Sequence, residues 1–222
     1  MLLVSETQWL EFNGWVLRLS APQGQGKGLA LLLHGWTGDE NSMWVLAPQS
    51  LSQHWVVAPR APFPTQPSGY SWRPLLERRG WPHLEDLRPA AAKLYHLAEA
   101  LGAELDLPAF PLDLIGFSQG AATAAVFLLL YPHQVGKAAL LSGFLPTGSE
   151  DLLSSGRLKG KEVFIAHGLQ DEMVPYAWAE SMAQALRECG ASVTFCVDEV
   201  GHKVSAVCAK ALQEFFEDGS SS

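Results

Sequence analysis

The sequence predicts an α/β fold with a mostly parallel central sheet and helices on both of its faces. Short apolar runs, typical of strands buried on both sides, alternate along the chain with longer segments of helical periodicity. The chain has 222 residues, 48% of them hydrophobic and 17% charged, which suits one domain with a large core. We therefore expect residues 1–218 to form a single domain, followed by a disordered tail at residues 219–222.

Each element follows from its local pattern. Apolar and polar residues alternate around Asn13 and Gly14, a dipeptide favoured in tight hairpin turns. Residues 61–82 are rich in Pro, Gly and aromatic residues without a clear period, so they are expected to form a functional loop. The predicted elements are a hairpin at 9–19, strands at 28–33 and 54–59, a helix at 84–104, a strand at 111–115, a helix at 121–130, strands at 137–142 and 162–166, a helix at 176–188, a strand at 192–197 and a helix at 204–217.

Composition excludes several classes of protein. The formal net charge is -8 and no basic stripe stands out, so a nucleic-acid partner is not expected. The N-terminus lacks the pattern of a signal peptide, and the longest apolar run, residues 121–131, is too short to span a bilayer. We therefore expect a cytoplasmic protein without stable membrane insertion; the sequence leaves a homodimer open.

The three cysteines bear on disulfide formation, metal binding and the redox compartment. Cys189, Cys196 and Cys208 are odd in number and lack C-x-x-C spacing, which argues against a disulfide framework and a zinc site. We expect free thiols, a reducing compartment, and no metal or cofactor.

The most informative motif is G-F-S-Q-G at residues 116–120. An apolar strand precedes it and an Ala-rich helix follows it, which is the context of a nucleophile elbow. In such a turn the serine backbone is strained, and side chains at the glycine positions would collide. Ser118 is therefore the predicted nucleophile.

A serine nucleophile needs a general base and an acid that orients it. Three histidines follow Ser118 in the sequence, at positions 133, 167 and 202. His202 lies between the last strand and the last helix, where the base is expected. Asp171 follows a predicted strand and is preferred as the acid, with Asp198 and Glu199 as alternatives.

Acyl transfer also requires hydrogen-bond donors to the developing oxyanion. The backbone N–H of Gln119, directly after the nucleophile, is one predicted donor. The other is the N–H of Trp36, in the loop after an early strand. His34 in the same loop is interpreted as structural, its ring hydrogen-bonded to the loop.

Together these motifs resemble the phospholipase/carboxylesterase family of α/β-hydrolases, which includes acyl-protein thioesterases. The matching segments, in the family's order, are L-H-G at 33–35, the segment 59–72 ending in S-W, G-F-S-Q-G at 116–120, H-G-L-Q-D-E-M-V-P at 167–175 and G-H at 201–202. The resemblance implies an α/β-hydrolase fold, a triad of Ser118, Asp171 and His202, and oxyanion donors at Trp36 and Gln119. The sequence departs from the family at W-T-G, residues 36–38, where Leu-Gly is usual before the Asp.

The expected function is hydrolysis of a small-molecule ester of short to medium acyl length through an acyl-enzyme. Large side chains near the motif loops are the candidate pocket walls. They are Trp36, Phe63, Trp72, Phe144 and Val174. An acyl-thioesterase or a lysophospholipase of the same family is the alternative, and a non-catalytic ligand-binding protein is the alternative of another class.

Overall fold

The computed structural model describes residues 7–24, 26–46, 51–74 and 80–217. Ten strands are found in this part of the chain: β1 Gln8–Phe12, β2 Trp15–Ser20, β3 Leu29–Leu33, β4 Trp55–Pro59, β5 Phe63–Pro64, β6 Tyr70–Ser71, β7 Leu112–Phe117, β8 Val135–Leu141, β9 Glu162–Gly168 and β10 Ser192–Asp198. Eight of them form one sheet in the order β1-β2-β4-β3-β7-β8-β9-β10. Both pairings of β2 are antiparallel and the others parallel.

The helices of the described residues pack on the two faces of this sheet. They are α1 Leu84–Leu105, α2 Gln119–Leu130, α3 Tyr176–Glu188 and α4 Ala206–Glu217. One core cluster lies under α1, α2 and α3, and a second lies under α4. The predicted α/β-hydrolase fold is therefore confirmed. The predicted tail, residues 219–222, lies outside the described residues.

The topology brings the predicted motifs to one edge of the sheet. Strands β3, β7, β8, β9 and β10 run parallel, so their carboxyl ends share that edge. The loop after β3 carries Trp36, the turn after β7 carries Ser118, and the loops after β9 and β10 carry Asp171 and His202. Residues far apart in sequence thus meet at the carboxyl ends of adjacent strands.

The prediction of free thiols is wrong for two of the three cysteines. Cys196 on β10 and Cys208 on α4 form a disulfide with their Cα atoms 5.7 Å apart, and Cys189 is free and buried. The pair forms because α4 packs back over β10, a tertiary contact that cysteine spacing does not reveal. With a disulfide present, the cysteines no longer support a reducing compartment.

No helix among the described residues combines the length and the apolar character that crossing a bilayer requires.

Candidate active site

Ser118 occupies a strained turn between β7 and α2. Its backbone has φ 53° and ψ -116°, a conformation that is costly for a residue with a side chain. The Ser118 N–H donates to Leu141 O of β8 at 2.8 Å, which holds the turn against the neighbouring strand. The side chain is half-buried at the head of α2. This is the geometry expected of a nucleophile elbow.

The glycines on both sides of the serine allow close backbone packing. A Cβ on Gly116 would collide with the backbone of Gly120, across the turn. A Cβ on Gly120 would collide with the carbonyl of Leu33 at the end of β3. Any side chain at either position would push the helix away from the sheet and displace Ser118.

The structure pairs His202 with Asp171. His202 Nδ1 lies 2.7 Å from Asp171 Oδ2, and the Asp171 side chain is fully buried. The other carboxylate oxygen, Oδ1, accepts hydrogen bonds from the N–H groups of Met173 at 2.9 Å and Val174 at 2.8 Å. The buried carboxylate is thus fixed by its own loop and presents one oxygen to the histidine.

Two contacts position the His202 ring near the elbow. The imidazole packs on Phe117, the residue before Ser118, with ring centroids 5.0 Å apart. The Gln170 N–H donates to Val200 O at 3.0 Å, which joins the acid loop to the base loop. Among the described residues no hydrogen bond joins Ser118 Oγ to His202. Catalytic hydrogen bonds are often long before substrate binds.

The alternative acids have other partners. Asp198 Oδ1 accepts from the N–H of Glu199 at 2.8 Å and so caps a turn. The Glu199 carboxylate accepts from the Gln170 side chain at 3.0 Å on the exposed surface. Neither is paired with His202, so the geometry favours Asp171 over both.

His167 is a second histidine beside the same carboxylate. Its Nε2 lies 2.9 Å from Val174 O, and since a carbonyl can only accept, Nε2 carries the proton. The same nitrogen is 3.4 Å from Asp171 Oδ2, and both side chains are fully buried. Burial lowers the pKa of His167, so its ring is neutral near pH 7. His167 therefore supports the acid loop, as a buried structural histidine would.

The loop after β3 passes directly beside the elbow. A Cβ on Gly35 would lie 3.4 Å from Ser118 Cβ. The Trp36 N–H pairs with none of the described residues, whereas the next N–H, of Thr37, donates to Tyr70 O at 3.0 Å. The Gln119 N–H, at the first position of α2, has no acceptor within its helix. Both predicted oxyanion donors are thus available.

His34 is structural, as predicted. Its Nδ1 lies 2.7 Å from Gly35 O and its Nε2 accepts from the Ala61 N–H at 3.0 Å. Burial lowers the pKa of His34, which keeps the ring in the neutral tautomer that both bonds require. Both ring nitrogens serve to hold the loop.

Three of the five predicted pocket walls have almost no exposed surface. Trp72, Phe144 and Val174 are 0%, 3% and 2% exposed, so they offer no face to a substrate in this structure. Their place near motif loops predicts pocket walls, but their side chains pack in the hydrophobic core. Trp36, by contrast, is 54% exposed, and Phe63 is half-buried on β5.

An aromatic cluster lies beyond the end of β8. Phe144 packs on Trp81 with ring centroids 4.9 Å apart, and Trp81 packs on Trp178 at 4.4 Å. Trp81 remains 44% exposed. The sequence did not single out Trp178, although its place near the start of α3, just after the acid loop, could have suggested it.

The described residues contain no group of three His, Cys, Asp or Glu that could hold a metal ion.

Comparison with known proteins agrees with this architecture. The sequence model of the phospholipase/carboxylesterase family matches residues 17–218. Acyl-protein thioesterase 1 of Candida albicans is 27% identical in an alignment of 195 residues that covers 78% of this chain and 83% of that protein. The Bacillus cereus carboxylesterase structure is 25% identical with a TM-score of 0.82, covering 93% of this chain and 95% of that one. The Mesorhizobium loti carboxylesterase structure, 21% identical, shares the fold with a TM-score of 0.80 over 95% of this chain and 98% of that one. With the family model matching most of its length, the chain belongs to the phospholipase/carboxylesterase family of α/β-hydrolases.

Proposed function

We propose that this protein is a serine carboxylesterase that hydrolyses short to medium acyl esters through an acyl-enzyme. The observation that carries the proposal is the 2.7 Å pair of Asp171 and His202 beside a serine held at φ 53°. An oriented imidazole next to a strained, half-buried serine is the arrangement that activates a hydroxyl nucleophile. A non-catalytic ligand-binding protein would have no need of it.

The first half-reaction acylates the serine. Ser118 Oγ attacks the ester carbonyl carbon while His202 Nε2 takes the hydroxyl proton, and the carbonyl electrons move to the oxygen. The N–H groups of Trp36 and Gln119 stabilise this oxyanion. The intermediate collapses, the bond to the alcohol oxygen breaks, and that oxygen takes the proton from His202 Nε2. Acyl-Ser118 and free alcohol result.

The second half-reaction returns the enzyme to its starting state. Water attacks the acyl carbon while His202 Nε2 takes one of its protons, and the same two N–H groups hold the second oxyanion. Collapse breaks the bond to Ser118 Oγ, which recovers its proton from the imidazole, and the carboxylic acid leaves. Throughout, Asp171 Oδ2 accepts the Nδ1–H bond, which keeps the Nε2 lone pair directed at the serine and stabilises the imidazolium.

The preference for short to medium acyl groups rests on the aromatic side chains around the elbow. Trp36 presents an exposed ring on the loop beside Ser118, which would cover a compact apolar acyl group. Phe144 follows β8, whose Leu141 bonds the elbow, and its ring is enclosed by Trp81 and Trp178. This filled volume leaves less room for a long chain.

A thioesterase function is the second candidate, because the relative from Candida albicans bears the name acyl-protein thioesterase 1. A panel of p-nitrophenyl esters and acyl thioesters of graded chain length separates the two. We expect the largest kcat/KM for short to medium oxygen esters, and Trp36→Ala should move the optimum to longer chains. A long-chain optimum that this substitution leaves unchanged would contradict the proposed pocket and favour the thioesterase.

A further inference from the structure

Trp72 has two N–H donors, and each bonds a different half of the proposed oxyanion hole. Its backbone N–H donates to the side-chain Oε1 of Gln119 at 3.0 Å. Its indole Nε1–H donates to the backbone carbonyl of His34 at 2.7 Å. The whole residue is buried, with no exposed surface. A side chain placed as a pocket wall from the sequence thus lies behind the oxyanion loop.

The two acceptors of Trp72 belong to segments that are far apart in the sequence. His34 follows β3 and lies on the loop of the Trp36 donor, whereas Gln119 begins α2 and is itself the other donor. The Gln119 amide also exchanges hydrogen bonds with Ser71 Oγ at 3.2 to 3.3 Å, so the last residue of β6 and the residue after it both bond the Gln119 side chain. The relative position of the two donors is therefore tied to Trp72.

The indole bond acts on the peptide unit just before the oxyanion loop. The peptide plane is rigid, so holding His34 O also fixes the direction of the Gly35 N–H and the start of the turn that leads to Trp36. The His34 ring is fixed separately, by Gly35 O and Ala61 N–H. Without the indole N–H, the His34 carbonyl would be buried without this donor, and the loop would gain freedom to rotate.

The geometry points to Trp72 as a positioning residue for the oxyanion hole, which sets the distance between the Trp36 and Gln119 N–H groups. This inference rests on the proposed function. Trp72 touches neither substrate nor reacting atoms, so its effect on the reaction is exerted through the two donors. Such a residue should influence the transition state, where the oxyanion exists, more than the bound ester.

The test is Trp72→Phe, which keeps a buried aromatic ring and the backbone N–H but removes the indole donor. The matched control is Trp55→Phe on β4. Trp55 is the first residue of that strand and lies at the amino ends of the parallel strands, away from the proposed site. Its Nε1 bonds none of the described residues. Removing an oxyanion donor outright costs about 10²- to 10³-fold in kcat, so displacing one should cost roughly 10- to 100-fold. We expect that loss for Trp72→Phe with KM little changed, and no such loss for Trp55→Phe.

A second readout separates positioning from general destabilisation. Ser118 adds to the carbonyl of a trifluoromethyl ketone and forms a tetrahedral oxyanion. The affinity of the variant for this inhibitor should fall by the same factor as its kcat/KM. Gln119→Met provides an independent variant, since it removes Oε1 but keeps the backbone N–H, and it should show the same correlated losses. Either variant suffices if the other does not fold.

Normal kcat and normal ketone affinity in a folded Trp72→Phe or Gln119→Met protein would overturn the inference. A lower melting temperature alone, with kcat unchanged, would do so as well. Failure of the proposed function would look different, because wild-type protein would then not be labelled at Ser118 by a fluorophosphonate. Labelling of Ser118 together with unaffected variants would refute only the role of Trp72.

Discussion

The disulfide between Cys196 and Cys208 closes a loop of the chain that contains the proposed base, His202. Breaking this disulfide should lower both the stability of the protein and its catalytic rate. The two cysteines are separated by 12 positions, and His202 lies midway between them. A cross-link that closes a loop of this length removes unfolded-state entropy worth about 3 kcal/mol in the chain-entropy model. For a chain of this size that free energy corresponds to a melting-temperature change of about 6 to 12 °C.

The catalytic effect should be smaller than the loss of a triad residue. Without the disulfide, the base loop keeps its bond from Gln170 to Val200 and the contact of His202 with Phe117 and Asp171. The imidazole would still reach its acid but would be held less firmly, so we expect kcat to fall by about 10-fold. The assay is ester hydrolysis well below the melting temperature, with and without dithiothreitol.

Three variants make this prediction decisive. Cys196→Ala, Cys208→Ala and the double variant should lose nearly equal stability from the missing cross-link, because each removes the same bond. Cys189→Ala is the control, since that thiol is free and buried. Unreduced, denatured wild-type protein should give one thiol by titration, from Cys189 alone. Three thiols before reduction, or a melting temperature that reduction leaves unchanged, would refute the reasoning.

Three further predictions follow from the site. Ser118→Ala should lower kcat by about 10⁴- to 10⁶-fold while the fold is retained, and a fluorophosphonate should label Ser118 alone; an active variant would contradict this. Asp171→Asn should cost roughly 10⁴-fold in kcat and Asp198→Asn little, and the reverse ranking would move the acid to Asp198. The free energy of unfolding should fall as pH drops below about 6.5, because burial lowers the pKa of His34 and His167 in the folded state, so that the unfolded chain binds more protons. Urea unfolding at several pH values measures this, and a flat profile through that range would contradict it.

The elements that follow strong local patterns could be predicted from the sequence. Helix α3 occupies the predicted residues 176–188, and the hairpin forms around Asn13 and Gly14. The candidate triad could be predicted for a related reason. Each of its members follows a strand of a parallel sheet, and those strands end at one edge. Order along the chain was enough to place the three loops together.

Contacts that depend on tertiary packing could not be predicted in this way. The Cys196–Cys208 bond forms because α4 packs over β10, and the spacing of the cysteines in the sequence does not predict how that helix packs on that strand. The burial of Phe144 and Val174 depends on which side chains fill the space around α3, which apolar character alone does not determine. A sequence pattern names apolar residues near a site without saying which of them face solvent.

Trp72 combines a position that a local sequence pattern indicates with contacts that only tertiary packing determines. Its place beside a motif segment suggests a substrate contact, and the pattern favours its apolar ring over its N–H as the useful group. In the structure the ring is buried, and the two donors bond Gln119 and His34. A buried tryptophan needs an acceptor for its indole N–H, and here that acceptor is the backbone carbonyl of His34, on the loop that carries the proposed Trp36 donor. The same requirement that stabilises the core therefore links the core to the site, and Trp72→Phe measures that link.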